Sequence, residues 1–186
     1  MNAEGIVLAV ITALEQLNVP YMVVGSFSSN LYGIPRSTQD ADFVVQLENT
    51  SVASIAQTLG PEFELDSQVS FETVTGTTRH TMRHTRGAFK VELFLLSDDP
   101  HDRERFTRRT RLPVFGRDAW VPTPEDVIVT KLRWSRQGKR PKDIDDAENV
   151  ITMQARSLDW QYLYRWCDVH GTRELLDRIL ASLPPL

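Results

Sequence analysis

The stretch from Tyr21 to Val45 constrains this chain more than any other. The apolar run Tyr21–Val24 ends in Gly25-Ser26, a short segment closed by Gly33-Ile34-Pro35 follows, and a second apolar run opens with Asp40-Ala41-Asp42. In a strand, side chains i and i+2 share a face. Asp40 and Asp42 therefore project together, and two like charges held side by side repel unless a cation lies between them; a divalent metal is the usual solution. Gly25-Ser26 after a buried strand suits close backbone approach to a phosphate. Glycine has no Cβ, and a helix that starts there turns its N-terminus toward an anion.

The 186 residues suit one domain with a single core, or a core with a helical extension. With 41% hydrophobic and 25% charged residues the composition is that of a folded globular chain. A single cysteine, Cys167, excludes an intrachain disulfide framework and fits a reducing cytoplasm. Cys167 itself reads as a small buried side chain. No basic leader or membrane-length apolar run is visible in the sequence. A net charge of -4 excludes a generally basic nucleic-acid binder. The arginines nevertheless cluster: Arg79, Arg83 and Arg86 with His80 and His84; Arg103, Arg105, Arg108, Arg109 and Arg111; and Arg133, Arg136, Lys139, Arg140 and Lys142. Each cluster reads either as a solvated face or as part of a surface for an anionic substrate.

Hydrophobic periodicity predicts an amphipathic helix over 4–17, a strand over Tyr21–Val24, a short helix from Ser28 to Tyr32, a strand from Asp42 to Leu47, and a helix from Thr50 or Ser51 to Leu59. Residues 62–96 read as β-rich, with Thr73, Val74 and Thr75 favouring extended backbone and Ala88–Leu96 as the firmest strand. A helical turn is expected over 100–106 and a hairpin around Gly116. Helices are expected over 124–136, 141–153, 158–170 and 172–182, the first capped by Thr123 and Pro124. The fold class is α+β: a mixed β-sheet flanked by helices over 1–121, followed by a C-terminal helical bundle segment over 122–186.

Glu92 stands inside the apolar run Val91–Leu96, where an unpaired buried carboxylate is costly. It is either on an exposed edge or close to a cation. If its strand pairs near residues 40–45, three carboxylates converge. Lys131 borders the apolar stripe of Val127, Ile128 and Leu132 and can extend its ammonium to a phosphate or to a carboxylate. Asp143 and Asp146 share a helix face; one is expected to pair with Lys131 or Arg140 and the other to be solvated. Asp143 acts either as a base or as a positioner of Lys131. Arg36 is placed to reach a phosphate or a carboxylate. Trp160, Tyr162, Tyr164 and Trp166 read as packing residues of the C-terminal helices. His80, His84, His101 and His170 show no metal-ligand spacing.

Val24-Gly25-Ser26 followed by Asp40-Ala41-Asp42 resembles the first motif of the DNA polymerase β-like nucleotidyltransferase superfamily, and Phe89-Lys90-Val91-Glu92-Leu93 is similar to its third-carboxylate strand. Asp126-Val127-Ile128-Val129-Thr130-Lys131 and Arg140-Pro141-Lys142-Asp143-Ile144-Asp145-Asp146 resemble two motifs of the AbiEii-type toxin nucleotidyltransferases. The arginine expected seven residues after the lysine is Gly138 here, flanked by Arg136 and Lys139. The resemblance implies a Mg²⁺ enzyme (Mn²⁺ as an alternative) that moves an NMP from an NTP donor, ATP or GTP among them, to a hydroxyl on RNA, tRNA or protein, with a cognate antitoxin or regulator as partner. It implies Asp40, Asp42 and Glu92 as metal ligands and catalytic residues. Gly25, Ser26, Arg36, Lys131 and Arg140 would bind nucleotide, and Lys131 and Asp143 would be essential polar residues. Two other readings stand beside it: a catalytically silent binding module or partner subunit of the same fold, and a small-molecule (antibiotic) nucleotidyltransferase.

Overall fold

A computed structural model describes residues 1–138 and 140–183. Lys139, counted above in the third basic cluster, lies outside the described residues. The chain runs α1 (Ala3–Gln16), β1 (Tyr21–Val24), α2 (Gly25–Tyr32), β2 (Asp40–Val45), α3 (Val52–Leu59), β3 (Phe63–Glu72), β4 (Thr77–His84), β5 (Lys90–Leu95), α4 (Pro100–Arg108), β6 (Thr110–Val114), β7 (Arg117–Val121), α5 (Pro124–Gly138), α6 (Pro141–Gln154), α7 (Trp160–His170) and α8 (Arg173–Ser182). Five strands form one sheet in the order β1-β2-β5-β4-β3, and β6 and β7 form a separate hairpin. Within the large sheet β2 and β5 run parallel; the other neighbours are antiparallel.

The expected α+β class holds, and most element limits fall within a residue or two of expectation. Where they differ, tertiary partners are the reason. β2 starts at Asp40 and ends at Val45, because Asp40 pairs with Lys90 and Val45 with both Tyr21 and Leu95. α2 begins at Gly25 rather than Ser28. Thr73–Gly76, rich in β-formers, is a turn instead of strand. The buried Glu72 carboxylate gathers that turn, accepting from the Val74 N–H, from the Thr75 N–H at 2.9 Å and from the Thr75 hydroxyl at 2.6 Å. Segment 100–106 is a full helix to Arg108, capped by Asp99, which accepts the Asp102 N–H at 3.0 Å.

Alternation along the strands creates two different sheet faces. Ala41, Phe43 and Val45 of β2, with Tyr21, Val23, Met82, Val91 and Leu93, are buried in a core completed by Ile6, Val7, Val10, Ile11 and Leu14 of α1 and Ile55 of α3. The opposite face carries Asp40, Asp42 and Val44 on β2. Its apolar part packs on Phe106 of α4 together with Met22 and Val24. A further core joins α5, α6, α7 and α8 through Ile128, Leu132, Val150, Ile151, Leu163, Trp166 and Leu176. Tyr162 and Trp166 are buried in this core and Trp160 and Tyr164 pack against it partly buried, as expected of packing residues, and Cys167 is buried in it, its thiol pushed by burial up to about 11. Among the described residues no helix is long and apolar enough to cross a membrane.

Candidate active site

The site forms where the acidic face of β2 meets β5. Asp42 stands directly opposite Glu92 in the parallel pair and next to Val24 in the antiparallel one. Directly paired residues on neighbouring strands have Cβ atoms about 5 Å apart. Asp40, Asp42 and Glu92 are thus brought to one sheet face by a tertiary pairing that joins positions fifty residues apart. Gly25 closes over them. Its φ is +66°, and a Cβ added there would stand 1.9 Å from Asp42 Oδ2, so only glycine lets the backbone lie this close to the carboxylate.

The electrostatics carry the mark of crowded acids. Burial, followed by the charges of Asp40 and Glu92, pushes the Asp42 carboxyl up to about 7, with Lys131 and Arg140 pulling the other way. The side chains nevertheless do not close into a cage: among the described residues no group of three His, Cys, Asp or Glu is positioned to hold a metal ion. Two of the three acids are turned to other partners. Asp40 Oδ1 accepts the Thr38 hydroxyl at 2.6 Å, and Glu92 Oε2 accepts Arg79 Nη1 at 3.2 Å. The all-oxygen donor set and the mutual repulsion at Asp42 fit a hard divalent cation.

Behind the acids lies a continuous ionic chain. Arg36 grips Asp146 with two bonds, Nε to Oδ1 at 2.7 Å and Nη2 to Oδ2 at 2.8 Å, and the same Nη2 donates to Ser26 Oγ at 2.9 Å. Lys131 Nζ lies 2.7 Å from Asp146 Oδ2 and 3.0 Å from Asp143 Oδ1, and Arg140 Nε stands 3.2 Å from Asp143 Oδ2. The expectation that one of Asp143 and Asp146 would be solvated is therefore corrected: both are buried, and both bind Lys131, because α5 and α6 pack face to face around it. Burial alone would raise the Asp146 carboxyl, but the Arg36 hydrogen bond and the Lys131 charge hold it below the usual carboxylate range. Of the two alternatives left open for Arg36 and Lys131, both side chains take carboxylates.

A cavity of about 220 Å³ connects these parts. Gly25, Ser26, Asp40, Asp42, Glu92, Lys131, Arg140 and Asp143 all line it, so every expected site residue except Arg36 opens onto one space. Arg36 reaches it indirectly, through Ser26. Arg79, Thr77, Phe94 and Trp134 are among the wall residues outside the expected site. In the sequence Arg79 belongs only to a basic cluster, and its i, i+2 relation to Thr81, which pairs with Glu92, becomes visible only once the β4–β5 register is known. The second arginine cluster does not form a free surface for an anion. Arg103 pairs with Asp98 at 2.6 Å, Arg105 with Asp102 at 2.5 Å, Arg108 with Asp126 at 3.4 Å and Arg111 with Glu15 at 4.0 Å, while Arg109 lies over the rings of Phe106 and Trp120. Arg105, Arg108 and Arg109 are taken up by the fold, Arg105 also lining the cavity, whereas Arg103 and Arg111 stay half-exposed.

Three solved structures share the architecture. An antigenic nucleotidyltransferase-like protein from Paracoccidioides brasiliensis matches over 98% of this chain and 94% of its own, with TM-score 0.58 and 20% identity. The antibiotic-resistance factor ANT(2'')-Ia matches in solution over 94% of both chains, with TM-score 0.60 and 14% identity. In its complex with adenylyl-2''-tobramycin the same factor matches over 92% of this chain and 98% of its own, with TM-score 0.60 and 15% identity. The fold is the nucleotidyltransferase fold. No protein-family model and no curated protein sequence matches the chain. The mixed sheet with β2 and β5 as its parallel centre is the part of this fold that carries the three acids.

Proposed function

We propose that this chain is a Mg²⁺-dependent nucleotidyltransferase that moves an NMP from an NTP to a hydroxyl acceptor. The observation that carries this reading is the pairing of Asp42 opposite Glu92, with Asp40 on the same face and Gly25 lying over Asp42 without room for a side chain. Asp40, Asp42 and Glu92 would hold the metal. When bound, Mg²⁺ neutralises triphosphate charge and favours in-line attack on the α-phosphorus. Gly25 and Ser26 at the start of α2 receive phosphate oxygens through backbone N–H groups. Lys131 and Arg140, held by Asp143 and Asp146, supply positive charge along the triphosphate. The acceptor oxygen forms its bond to the α-phosphorus as the bond to pyrophosphate breaks, and the acceptor proton passes to Glu92 once Arg79 yields that carboxylate. On this reading Asp143 positions Lys131, and the base is Glu92.

The acceptor we favour is a hydroxyl of RNA or protein, as the two AbiEii-like motifs imply, in a cytoplasmic toxin–antitoxin setting with a cognate antitoxin as partner. Arg140, half-exposed, and Lys142, exposed, both line the cavity and support an anionic acceptor. A small-molecule acceptor is the second reading, favoured by the likeness to a structure bound to adenylyl-2''-tobramycin. Incubation with each labelled NTP, Mg²⁺ and three acceptor sets (total tRNA, cell-extract protein and aminoglycosides) tests both. Label on tRNA or protein, absent with Asp40→Ala, supports the first; label on an aminoglycoside alone supports the second. Label no greater than that of Asp40→Ala on every acceptor overturns the enzymatic reading in favour of a binding module.

A further inference from the structure

We infer that Trp134 is the platform for the nucleobase of the donor nucleotide, an inference that rests on the reading above. Trp134 is the tryptophan that no core absorbs. Trp120 packs against the cores of the sheet, Trp166 is buried in the helical core and Trp160 packs against it, whereas among the described residues Trp134 is in none of the hydrophobic clusters. Its neighbours on α5, Leu132 and Ser135, are buried, so the helix turns its packed side elsewhere and leaves the indole on the wall of the cavity. There its ring meets Phe94 edge to face, centroids 6.4 Å apart at 86°.

The cavity is chemically two-ended. Asp40, Asp42 and Glu92 mark one end along β2 and β5, and Val44 and Phe94, with Trp134 against Phe94, mark the other, while Glu72, Arg79, Asp102 and Arg105 add charged groups to the wall. Strand alternation produces this division: two residues beyond Asp42 on the same face is Val44, and two beyond Glu92 is Phe94, which pairs with it. The ligand that matches is polyanionic at one end and carries a flat ring at the other. Lys131 and Trp134 are i and i+3 on α5, so their Cβ atoms lie about 5–6 Å apart. One face of α5 thus brings Lys131 and the indole to the same cavity. The Arg140 guanidinium, 5.5 Å from the indole centroid, links the two ends, since the same side chain reaches Asp143 at 3.2 Å. Stacking of a base on an aromatic ring is strongest for large π-faces, so the site favours purine over pyrimidine nucleotides.

The test is equilibrium binding by calorimetry to the full chain in Mg²⁺, with ATP, GTP, CTP, UTP and inorganic tripolyphosphate as probes, for wild type, Trp134→Leu and Trp134→Phe. The expected result has three parts. Wild type binds ATP or GTP more tightly than CTP or UTP. Trp134→Leu loses roughly tenfold to hundredfold in NTP affinity, the range for one base–aromatic stack, while its tripolyphosphate affinity is unchanged. Trp134→Phe restores most of the loss. An equal loss for tripolyphosphate would show that Trp134 only shapes the site and would overturn the inference, as would NTP affinities unaffected by Trp134→Leu. A variant that raises KM for the acceptor alone would place the indole in the acceptor site and equally overturn it. Wild type that binds neither NTP nor tripolyphosphate overturns the nucleotidyltransferase reading itself, a failure distinct from the other three.

Discussion

Asp146 is the residue whose loss the ionic chain makes most costly. Its carboxylate is 4% exposed and faces two cations, Arg36 through two hydrogen bonds and Lys131 at 2.7 Å. Asp146→Asn keeps the shape and one acceptor oxygen but removes the charge, leaving both cations short of a partner. Breaking a buried pair by removing one side costs about 3–5 kcal/mol. Two features reduce that figure here: the Arg36 side chain is 33% exposed, and Lys131 keeps Asp143 at 3.0 Å. A loss of about 2–3 kcal/mol remains, which for a chain of this size lowers the melting temperature by roughly 4–12 °C. Thermal and urea unfolding of wild type, Arg36→Gln, Asp146→Asn and the double variant measure it. The double variant is expected to melt close to Asp146→Asn alone, because the second change removes a cation that the first had already stranded. The same substitution frees the Arg36 guanidinium from its carboxylate and so loosens its bond to Ser26 Oγ; NTP affinity is expected to fall together with stability. An Asp146→Asn melting point within one degree of wild type, or strictly additive single losses, would refute the coupled network.

Three further outcomes follow from the geometry. Gly25→Ala adds a Cβ 1.9 Å from Asp42 Oδ2 at a φ of +66°, where an L-residue costs about 1–2 kcal/mol; a modest fall in urea midpoint with loss of at least tenfold in nucleotide transfer is expected, and unchanged transfer would contradict the close approach. Asp42 is destabilising when charged: its folded-state carboxyl is raised to about 7, so stability falls as pH rises from the ordinary carboxylate range to that value. Asp42→Asn should therefore melt higher than wild type at pH 8 in EDTA, at about 1.4 kcal/mol for each tenfold change in proton affinity, yet, on the proposed reading, lose transfer and the melting-point gain expected of wild type in Mg²⁺. Acid should unfold the protein in two stages. Burial holds the His101 ring below its ordinary value and pushes His170 down to about 4, so the unfolded chain binds more protons and stability drops from about pH 6.5 towards 4; Asp102 and Asp126, held below the usual carboxylate range despite burial by Arg105 and by His101 and Tyr162, then lose their contribution at lower pH. Asp42 acts in the opposite sense over this window, so the comparison is made in Asp42→Asn: there a urea midpoint constant from pH 7 to 4.5 would refute the first stage, and adding His101→Gln with His170→Asn should flatten it.

The His101–Asp126 pair shows what kind of information the linear chain withholds. His101 Nε2 lies 3.1 Å from Asp126 Oδ1, and the Tyr162 hydroxyl donates to the same oxygen at 2.5 Å, a meeting of α4, α5 and α7 that no spacing rule announces. Asp126 could be read only as a first-turn acid and a motif position. Arg79 and Trp134 were hidden for the same reason: each acquires its role from a neighbour on another element, Glu92 in one case and Phe94 in the other.

By contrast, the properties that depend on local periodicity and local backbone were determined by the sequence alone. Alternation put Asp40 and Asp42 on one face, Gly25-Ser26 marked the strand-to-helix turn, and the amphipathic spacing of α1 and α5 to α8 announced the helices and most of their ends. The parallel pairing of β2 with β5 decided the rest. It set Glu92 opposite Asp42, laid Val44 beside Phe94, and left between that face and α5 a space lined with acids at one end and rings at the other. Tertiary packing also spent several arginines: Arg105, Arg108 and Arg133, which as sequence read either as solvated faces or as part of a surface for an anion, pair with Asp102, Asp126 and Asp99, because a buried carboxylate is stable only beside a cation.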